Sequence, residues 1–377
     1  MTKQILFLFA FAALVYAQAP LFTATPSVAV GEGSGHLVLA DVNRDGKLDL
    51  IAQHLQQRMV TVQLGDGAGR FTPAPGNPIR LGYMPGEAKV GDLNGDGIPD
   101  LGIIGGERDA VDILFGDGGG KFTPAPGAPF IASTAKDTPT TGLQLLDLNE
   151  DGKLDVLTTG NQRHSFATLF GNGRGGFTAG PVTSFPTGAG RYTFAFGDFD
   201  GDKHLDAAIA NSGGGEFAEP MRVVVLRGDG KGAFSKLSET NAPFGPRYLT
   251  PGDVNGDGRL DLVFVHGSNE HCGASVWLNQ GGGKFVEGPS YDLGGAAYGV
   301  TVADVNQDKR NDLIVATVDS VTVLLNGNGK FAPAPGSPFR AGPGAYHLAA
   351  GDVNGDGKPD VAASSFEGKT VTMLLGK

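Results

Sequence analysis

The sequence predicts an all-β fold in which seven similar units close into a ring. Three observations support this: a repeated acidic segment, a repeated glycine-rich turn, and alternating apolar and polar residues in the short stretches between them. The chain has 377 residues, of which 62 are glycine and 40% are hydrophobic. This composition is too apolar for a disordered chain and lacks the regular glycine spacing of collagen, so it favours short strands joined by tight turns.

The acidic segment, of the type DVNGDGKPD, recurs at intervals of 48 to 55 residues. A glycine-rich turn ending in phenylalanine recurs with similar spacing, as in GDGAGRF and GDGGGKF, but it occurs six times. The missing phenylalanine is found near the start of the chain, where Phe22 lies 19 residues before Asp41. One unit is therefore divided between the two ends of the chain, as a closed ring requires and an open solenoid does not. The first aspartates of the acidic segments are Asp41, Asp92, Asp147, Asp198, Asp253, Asp304 and Asp352.

Each unit has the pattern of four short strands. In the second unit, AKVGDLN leads into the acidic segment, PDLGIIG leaves it, AVDILFG alternates, and KFTPAPGAPF follows the glycine turn. A period of two bounded by Gly, Pro, Asn and Asp is the signal of a strand. Seven such units predict a seven-bladed β-propeller over residues 18–377, whose last blade combines about 344–377 with 18–34.

The first residues have a different character. Lys3 precedes an apolar run, Ile5 to Val15, that is too short to span a bilayer. We expect a signal peptide over 1–17, cleaved near Ala17, and a mature protein that is secreted to the periplasm or the outside of the cell, monomeric and without a membrane span. The single cysteine, Cys272, excludes an internal disulfide framework, and a metal site needs more ligands than the neighbouring His271 adds.

The acidic segments predict metal sites. Positions 1, 5 and 9, counted from the first aspartate, are aspartate in all seven copies, and position 3 is asparagine except for Asp200 in the fourth. Alternate side chains of a tightly curled loop converge, and several hard oxygen ligands suit calcium better than magnesium. We therefore expect up to seven calcium ions, with the backbone carbonyl of position 7 as a further ligand. Positions 1, 3, 5, 7 and 9 are Asp41, Asn43, Asp45, Lys47 and Asp49; Asp92, Asn94, Asp96, Ile98 and Asp100; Asp147, Asn149, Asp151, Lys153 and Asp155; Asp198, Asp200, Asp202, His204 and Asp206; Asp253, Asn255, Asp257, Arg259 and Asp261; Asp304, Asn306, Asp308, Arg310 and Asp312; and Asp352, Asn354, Asp356, Lys358 and Asp360.

Position 6 distinguishes two of these loops. It is glycine in five copies, where the sharp turn needs a positive φ, but Lys203 and Lys309 in the fourth and sixth. A left-handed backbone costs a lysine about 1–2 kcal/mol. Both sites are therefore expected to be less favourable, the sixth more so because it lacks the extra carboxylate of Asp200.

The acidity of the chain belongs to these loops. Three aspartates in each of seven loops, together with Asp200, make 22 of the 40 acidic residues, and the net charge is −11. Bound calcium would neutralise this charge, so the acidity reflects metal sites rather than an affinity for basic partners, and we expect no binding of nucleic acid.

The pattern D-x-[ND]-x-D-x-x-x-D between two strands, followed by the glycine turn and phenylalanine, resembles the FG-GAP/VCBS repeats of exported bacterial proteins and of the integrin α-subunit head. The resemblance covers essentially residues 20–377. It implies a β-propeller whose acidic loops bind calcium on one face. It implies no single function, because the family includes adhesion modules, lectins and domains attached to polysaccharide-degrading enzymes.

The opposite face is the candidate ligand-binding surface. Longer connections at 131–142, 211–222 and 267–274 gather there, and a set of polar and aromatic side chains lies at the start of the innermost strands. We predict that this set surrounds the mouth of the central channel and binds an extracellular carbohydrate or protein; the alternative is that it fills the channel or packs between blades. The set comprises Tyr192, Tyr248, Tyr298, Tyr346, His36, His347, Glu87, Arg191 and Arg247.

The sequence has no H-E-x-x-H or G-x-S-x-G motif, and GNGRGG at 171–176 precedes a strand rather than a helix. A non-enzymatic binding or adhesion module is therefore favoured. A polysaccharide-active lyase or hydrolase with its site at the channel mouth remains an alternative, because catalysis assembled across blades leaves no local motif. A structural component of the cell envelope is the third possibility.

Overall fold

The computed structural model describes residues 19–105, 110–131, 140–160, 165–185, 192–211, 222–242, 246–267 and 272–377. Within these ranges the chain forms strands and turns but no helix, and hence no helix that could cross a membrane. The expected signal peptide, Arg191 and His271 lie outside the described residues.

Seven antiparallel sheets form the blades of a propeller, as the sequence predicted. In six blades the strands follow chain order from the centre of the ring outwards, and the last blade takes its outer strands from the start of the chain. The chain enters through β1 (Phe22–Ala24) and β2 (Val28–Ala29), which belong to the last blade.

The remaining strands build the blades in order. Blade 1 contains β3 (Ser34–Ala40), β4 (Asp49–His54), β5 (Met59–Gly65), β6 (Phe71–Pro73) and β7 (Ile79–Arg80). Blade 2 contains β8 (Pro85–Gly91), β9 (Asp100–Gly105), β10 (Ala110–Gly116), β11 (Phe122–Pro124) and β12 (Phe130–Ile131). Blade 3 contains β13 (Thr140–Leu146), β14 (Asp155–Gly160), β15 (Ser165–Gly171) and β16 (Phe177–Ser184). Blade 4 contains β17 (Tyr192–Gly197), β18 (Asp206–Asn211), β19 (Arg222–Gly228) and β20 (Phe234–Asn241). Blade 5 contains β21 (Tyr248–Gly252), β22 (Asp261–Gly267), β23 (Cys272–Asn279) and β24 (Phe285–Asp292). Blade 6 contains β25 (Ala297–Ala303), β26 (Asp312–Thr317), β27 (Ser320–Asn326), β28 (Phe331–Pro333) and β29 (Phe339–Arg340). Blade 7 contains β30 (Ala345–Gly351), β31 (Asp360–Ser365) and β32 (Thr370–Gly376), completed by β1 and β2.

The ring closes where the sequence predicted. β1 pairs antiparallel with β32, with Phe22 opposite Gly376 and Ala24 opposite Leu374. The Phe22 side chain is buried and meets the Phe339 ring of blade 6 edge-on, with 5.3 Å between the ring centroids. The first segment of the chain therefore joins its last strand and also packs against the neighbouring blade.

The hydrophobic core lies between blades rather than within one of them. One cluster, for example, combines Ile51 and Val60 of blade 1 with Leu101 and Ile103 of blade 2. Second strands are covered on both faces by the adjacent blades, so every residue of β4, β9 and β31 is buried. Position 2 of each acidic loop adds a buried apolar side chain to this core; Val42 in blade 1 is completely inaccessible.

The outermost strands are the least regular part of the blades. In blades 1, 2 and 6 the fourth strand, expected from the sequence to be continuous, is divided into two short strands by a turn with the sequence PAPG. In blades 3, 4 and 5 the fourth strand is eight residues long, and its pairing contains a register shift. Proline lacks an amide N–H and cannot continue the ladder, which explains the division.

Replacing Phe22 by alanine should destabilise the whole propeller by about 3–5 kcal/mol, because a buried phenylalanine at the closing contact is removed. Urea denaturation of the purified protein measures this change, with Thr23→Ala in the same strand as the control, since Thr23 is exposed. Equal stabilities for the two variants would contradict a closing role for β1.

Candidate functional sites: the acidic loops and the channel mouth

Each acidic loop is held in shape by its own side chains. The position 1 carboxylate accepts a hydrogen bond from the amide of position 6 in all seven loops, at 2.8–2.9 Å. The position 3 oxygen accepts one from the amide of position 5 at 2.8–3.1 Å. The position 5 carboxylate accepts one from the amide of position 7 at 2.7–3.0 Å. The alternating acidic side chains therefore curl each loop around themselves.

The aspartates at position 9, which we call the closing aspartates, fix each loop to its blade. One carboxylate oxygen accepts the amide of loop position 2 at 2.8–3.1 Å. The other accepts the amide of the last residue of the third strand at 2.8–3.0 Å. All seven side chains are inaccessible to solvent; they are Asp49, Asp100, Asp155, Asp206, Asp261, Asp312 and Asp360.

Burial raises the pKa of every closing aspartate. The carboxylates at positions 1 and 5 raise it further in six loops, and those at positions 3 and 5 do so in the fourth. Each loop thus concentrates negative charge that its backbone hydrogen bonds only partly offset. A hard divalent cation with several oxygen ligands would neutralise that charge, so the donor set fits calcium. In the fourth loop, carboxylate oxygens of Asp198, Asp200 and Asp206 lie within 4.8 Å of one another.

Position 6 has the left-handed backbone that the sequence predicted. Its φ is 78–81° at the five glycines, 74° at Lys203 and 68° at Lys309. Position 4 is left-handed too, which the sequence analysis missed, because Arg44, Glu150 and Gln307 replace glycine there in three loops. The sixth loop therefore contains two strained residues, Gln307 and Lys309. Burial also raises the pKa of Asp312 to about 6, which makes its ionised form costly.

The acidic loops share their face of the ring with the glycine turns. The amide of Gly175 donates to the carbonyl of Leu93 at 3.1 Å, and the amide of Gly69 donates to Val353 at 3.3 Å. In both cases a glycine turn of one blade bonds to position 2 of the preceding acidic loop around the ring. Each of these acidic loops is therefore hydrogen-bonded to the glycine turn of the next blade.

The opposite end of the channel contains a cavity of about 190 Å³. Six side chains identified from the sequence line it, each from a different innermost strand or its start, except for the adjacent Arg247 and Tyr248. Lys89 also lines the cavity, and its Nζ lies 2.8 Å from Oε1 of Glu87. The six are His36, Glu87, Tyr192, Arg247, Tyr248 and Tyr346.

Part of this set fills the channel, as the alternative interpretation held. Nδ1 of His347 accepts the amide of Leu37 at 3.3 Å, so the neutral ring carries its proton on Nε2, which faces Oη of Tyr248 at 3.3 Å. This contact joins blades 5 and 7 across the channel. Tyr192 is 8% exposed and belongs to the core between blades 3 and 4.

The two histidines at the channel mouth contact each other with their rings tilted by 53°. The rings of His36 and His347 lie 4.7 Å apart, and burial lowers the pKa of both, that of His347 well below its usual range. Nδ1 of His36 is buried and has no hydrogen-bond partner among the described residues.

Other members of the set remain accessible. Tyr346 is 39% exposed and contacts Tyr298 on one side and Phe366 on the other, with centroid distances of 6.3 and 5.8 Å. The guanidinium of Arg247 lies 5.3 Å from the centre of the Tyr298 ring. Phe366, itself 38% exposed, was not predicted; its only sequence signal is an aromatic residue in the otherwise polar turn SFEGK. We call Tyr298, Tyr346 and Phe366 the aromatic platform. The three long connections proposed for this face fall mainly outside the described residues.

The fold and the acidic loops define the protein as a β-propeller built from sequence repeats. Comparison with known protein families identifies the repeat. The FG-GAP-like repeat matches residues 41–103, 92–158, 147–209, 208–264, 253–315 and 304–363. The protein belongs to the FG-GAP-like repeat family.

Two kinds of solved structure share this fold. BBS1N, crystallised in complex with ARL6DN, has a TM-score of 0.63 and 12% identity, covering 95% of this chain and 98% of that chain. A lectin from Agrocybe aegerita that recognises non-reducing terminal N-acetylglucosamine has a TM-score of 0.60 and 19% identity, covering 90% of this chain and 87% of that chain. No curated protein matches the sequence.

Exchanging glycine and lysine at position 6 should shift stability in opposite directions in two loops. Lys309→Gly should stabilise the metal-free protein by about 1 kcal/mol, and Gly357→Lys should destabilise it by a similar amount. The space around the Cβ position of Gly357 is open, so no steric clash adds to the backbone strain. Urea denaturation in chelator measures both changes, and shifts of the same sign would refute the argument.

Proposed function

We propose that the protein is an exported calcium-binding β-propeller that acts as a non-enzymatic binding module, with a carbohydrate as its ligand at the channel mouth. The observation that carries this proposal is the aromatic platform beside a polar cavity. Aromatic faces pack against the C–H faces of sugar rings, while neighbouring polar groups fix their orientation.

The cavity and the platform are continuous, because Tyr346 belongs to both. A volume of about 190 Å³ suits a single sugar ring rather than a larger ligand. Inside it, Glu87 and Lys89 form an ion pair, and Arg247 is exposed. These groups offer donors and acceptors to hydroxyl groups. A terminal sugar would occupy the cavity and the next would stack on Tyr346 and Phe366.

The structural likeness to a lectin supports carbohydrate as the ligand class and supplies a first probe, glycans with terminal N-acetylglucosamine. The likeness to BBS1N, crystallised with a protein partner, supports the second candidate, a protein ligand on the same face. A competition experiment distinguishes the two candidate ligands, because a free monosaccharide should displace a bound carbohydrate but not a bound protein.

Calcium has a structural role in this proposal. Bound at positions 1, 3, 5, 7 and 9, it would neutralise the loop carboxylates and connect the start of the second strand to the curled loop. In the absence of disulfide bonds, metal ions would then provide cross-links.

Calcium should raise the melting temperature by on the order of 10 °C. Extracellular calcium sites bind at about 10⁻⁴–10⁻³ M, so about tenfold saturation of each loop contributes roughly 1.4 kcal/mol and several loops add. Calorimetry with calcium, with magnesium and with chelator tests this. Magnesium should have a much smaller effect, and identical melting temperatures in calcium and chelator would sink the calcium proposal.

Removing platform side chains should weaken binding of a matching glycan by about fivefold to tenfold for each ring, the equivalent of about 1–1.4 kcal/mol. Tyr346→Ala and Phe366→Ala are compared with Val182→Ala, which removes an exposed apolar side chain from an outer strand. A glycan array followed by titration calorimetry provides the measurement. Binding that is unaffected in both platform variants would place the ligand elsewhere, and release of soluble sugar would indicate an enzyme.

A further inference from the structure

The fourth acidic loop differs from the other six in its charge. It has a carboxylate, Asp200, at position 3, where the others have asparagine. The Asp200 side chain is 1% exposed. An additional buried carboxylate beside three others is costly unless a cation neutralises it.

That cation is a side chain of the same blade. Both Nε and Nη2 of Arg227 contact Oδ2 of Asp200, and Nε lies 3.7 Å from Oδ2 of Asp202. Oδ1 of Asp200 meanwhile accepts the amide of Asp202 at 3.1 Å. The guanidinium thus bridges positions 3 and 5, two of the side chains expected to hold calcium.

Asp200 and Arg227, which both depart from the pattern of the repeat, occur in the same blade. Arg227 is the penultimate residue of the third strand, and this position is apolar in every other blade: Leu64, Phe115, Phe170, Leu278, Leu325 and Leu375. An extra negative charge and a new positive charge therefore appear together in one unit of a sevenfold repeat.

A third residue compensates for the change. In blade 7 the apolar side chain at this position, Leu375, lies against the glycine turn of the next blade at Gly69, and Phe115 lies against Gly175 in the same manner. The corresponding turn after blade 4, at Gly283, is covered instead by Leu237 of the outer strand. Because Leu237 covers this turn, Arg227 does not have to pack against it, and its side chain extends to the acidic loop.

We infer that Arg227 takes the place of calcium in the fourth loop, so that this blade is closed by an internal guanidinium and needs no metal ion. The inference rests on the proposed calcium binding by the other loops. Asp200 then serves as the partner of Arg227 rather than as compensation for Lys203, the role expected from the sequence.

The number of calcium ions bound per chain tests this inference. Equilibrium dialysis against about 10 mM calcium, tenfold above the weakest usual affinity of extracellular sites, is followed by metal analysis. Arg227→Leu should bind one ion more than the wild-type protein, whereas Arg227→Lys, which keeps the charge, should bind the same number as the wild type. Arg70→Leu, which removes an arginine 83% exposed outside the loops, is the control.

Thermal melting gives a second readout that an ordinary salt bridge would not produce. Arg227→Leu should melt below the wild type in chelator and recover most of the difference in calcium. If it does not fold, the double variant Asp200→Asn/Arg227→Leu recreates the pair found in blade 7, Asn354 and Leu375, and should also gain one ion.

The outcomes separate the two proposals. Calcium binding by the wild type with no additional ion in either leucine variant would overturn the inference alone. Seven calcium ions bound to the wild type would also overturn the inference about Arg227 alone. Absence of calcium from the wild type and the variants would overturn both the inference and the proposed calcium binding.

Discussion

The propeller depends on a buried carboxylate that is repeated once in each blade. The closing aspartate accepts one amide from the acidic loop and one from the end of the third strand, so a single side chain joins three segments distant in sequence. An ionised group without these bonds would be expensive inside the protein, and an amide without the carboxylate would be left unsatisfied. One side chain therefore holds the loop, the second strand and the third strand together, and the acidic side chains at positions 1, 3 and 5 take their places as a result.

Much of this architecture was readable from the sequence because each constraint is repeated seven times. The acidic spacing predicts the number of blades, Phe22 predicts the closure, and position 6 predicts the left-handed backbone found at Lys203 and Lys309. A single copy of any of these signals would have been ambiguous. Agreement among copies removes the ambiguity, since coincidences do not recur at a fixed spacing.

The features that escaped prediction are those that the repeat does not share. Position 4 is left-handed, yet Arg44, Glu150 and Gln307 conceal the requirement. Phe366 belongs to the channel mouth through its contact with Tyr346 of the same blade, and Lys89 belongs to it by lining the cavity; neither contact has a local motif. The pairing of Arg227 with Asp200 spans 27 residues and has no local motif. The acidic face is thus specified by repetition, whereas the channel mouth and the fourth loop are specified by departures from it.

The irregular outer strands have a consequence for the protein as a whole. A propeller exposes the free edge of each blade at its rim, and an unpaired strand edge is a template on which another chain can add a strand. Here the edges of blades 1, 2 and 6 are divided at PAPG turns, and those of blades 3, 4 and 5 contain a register shift. No long, flat edge is therefore offered by these six blades. The same irregularities that make the fourth strands hard to recognise allow many copies of the protein to be crowded together without stacking rim to rim into fibres.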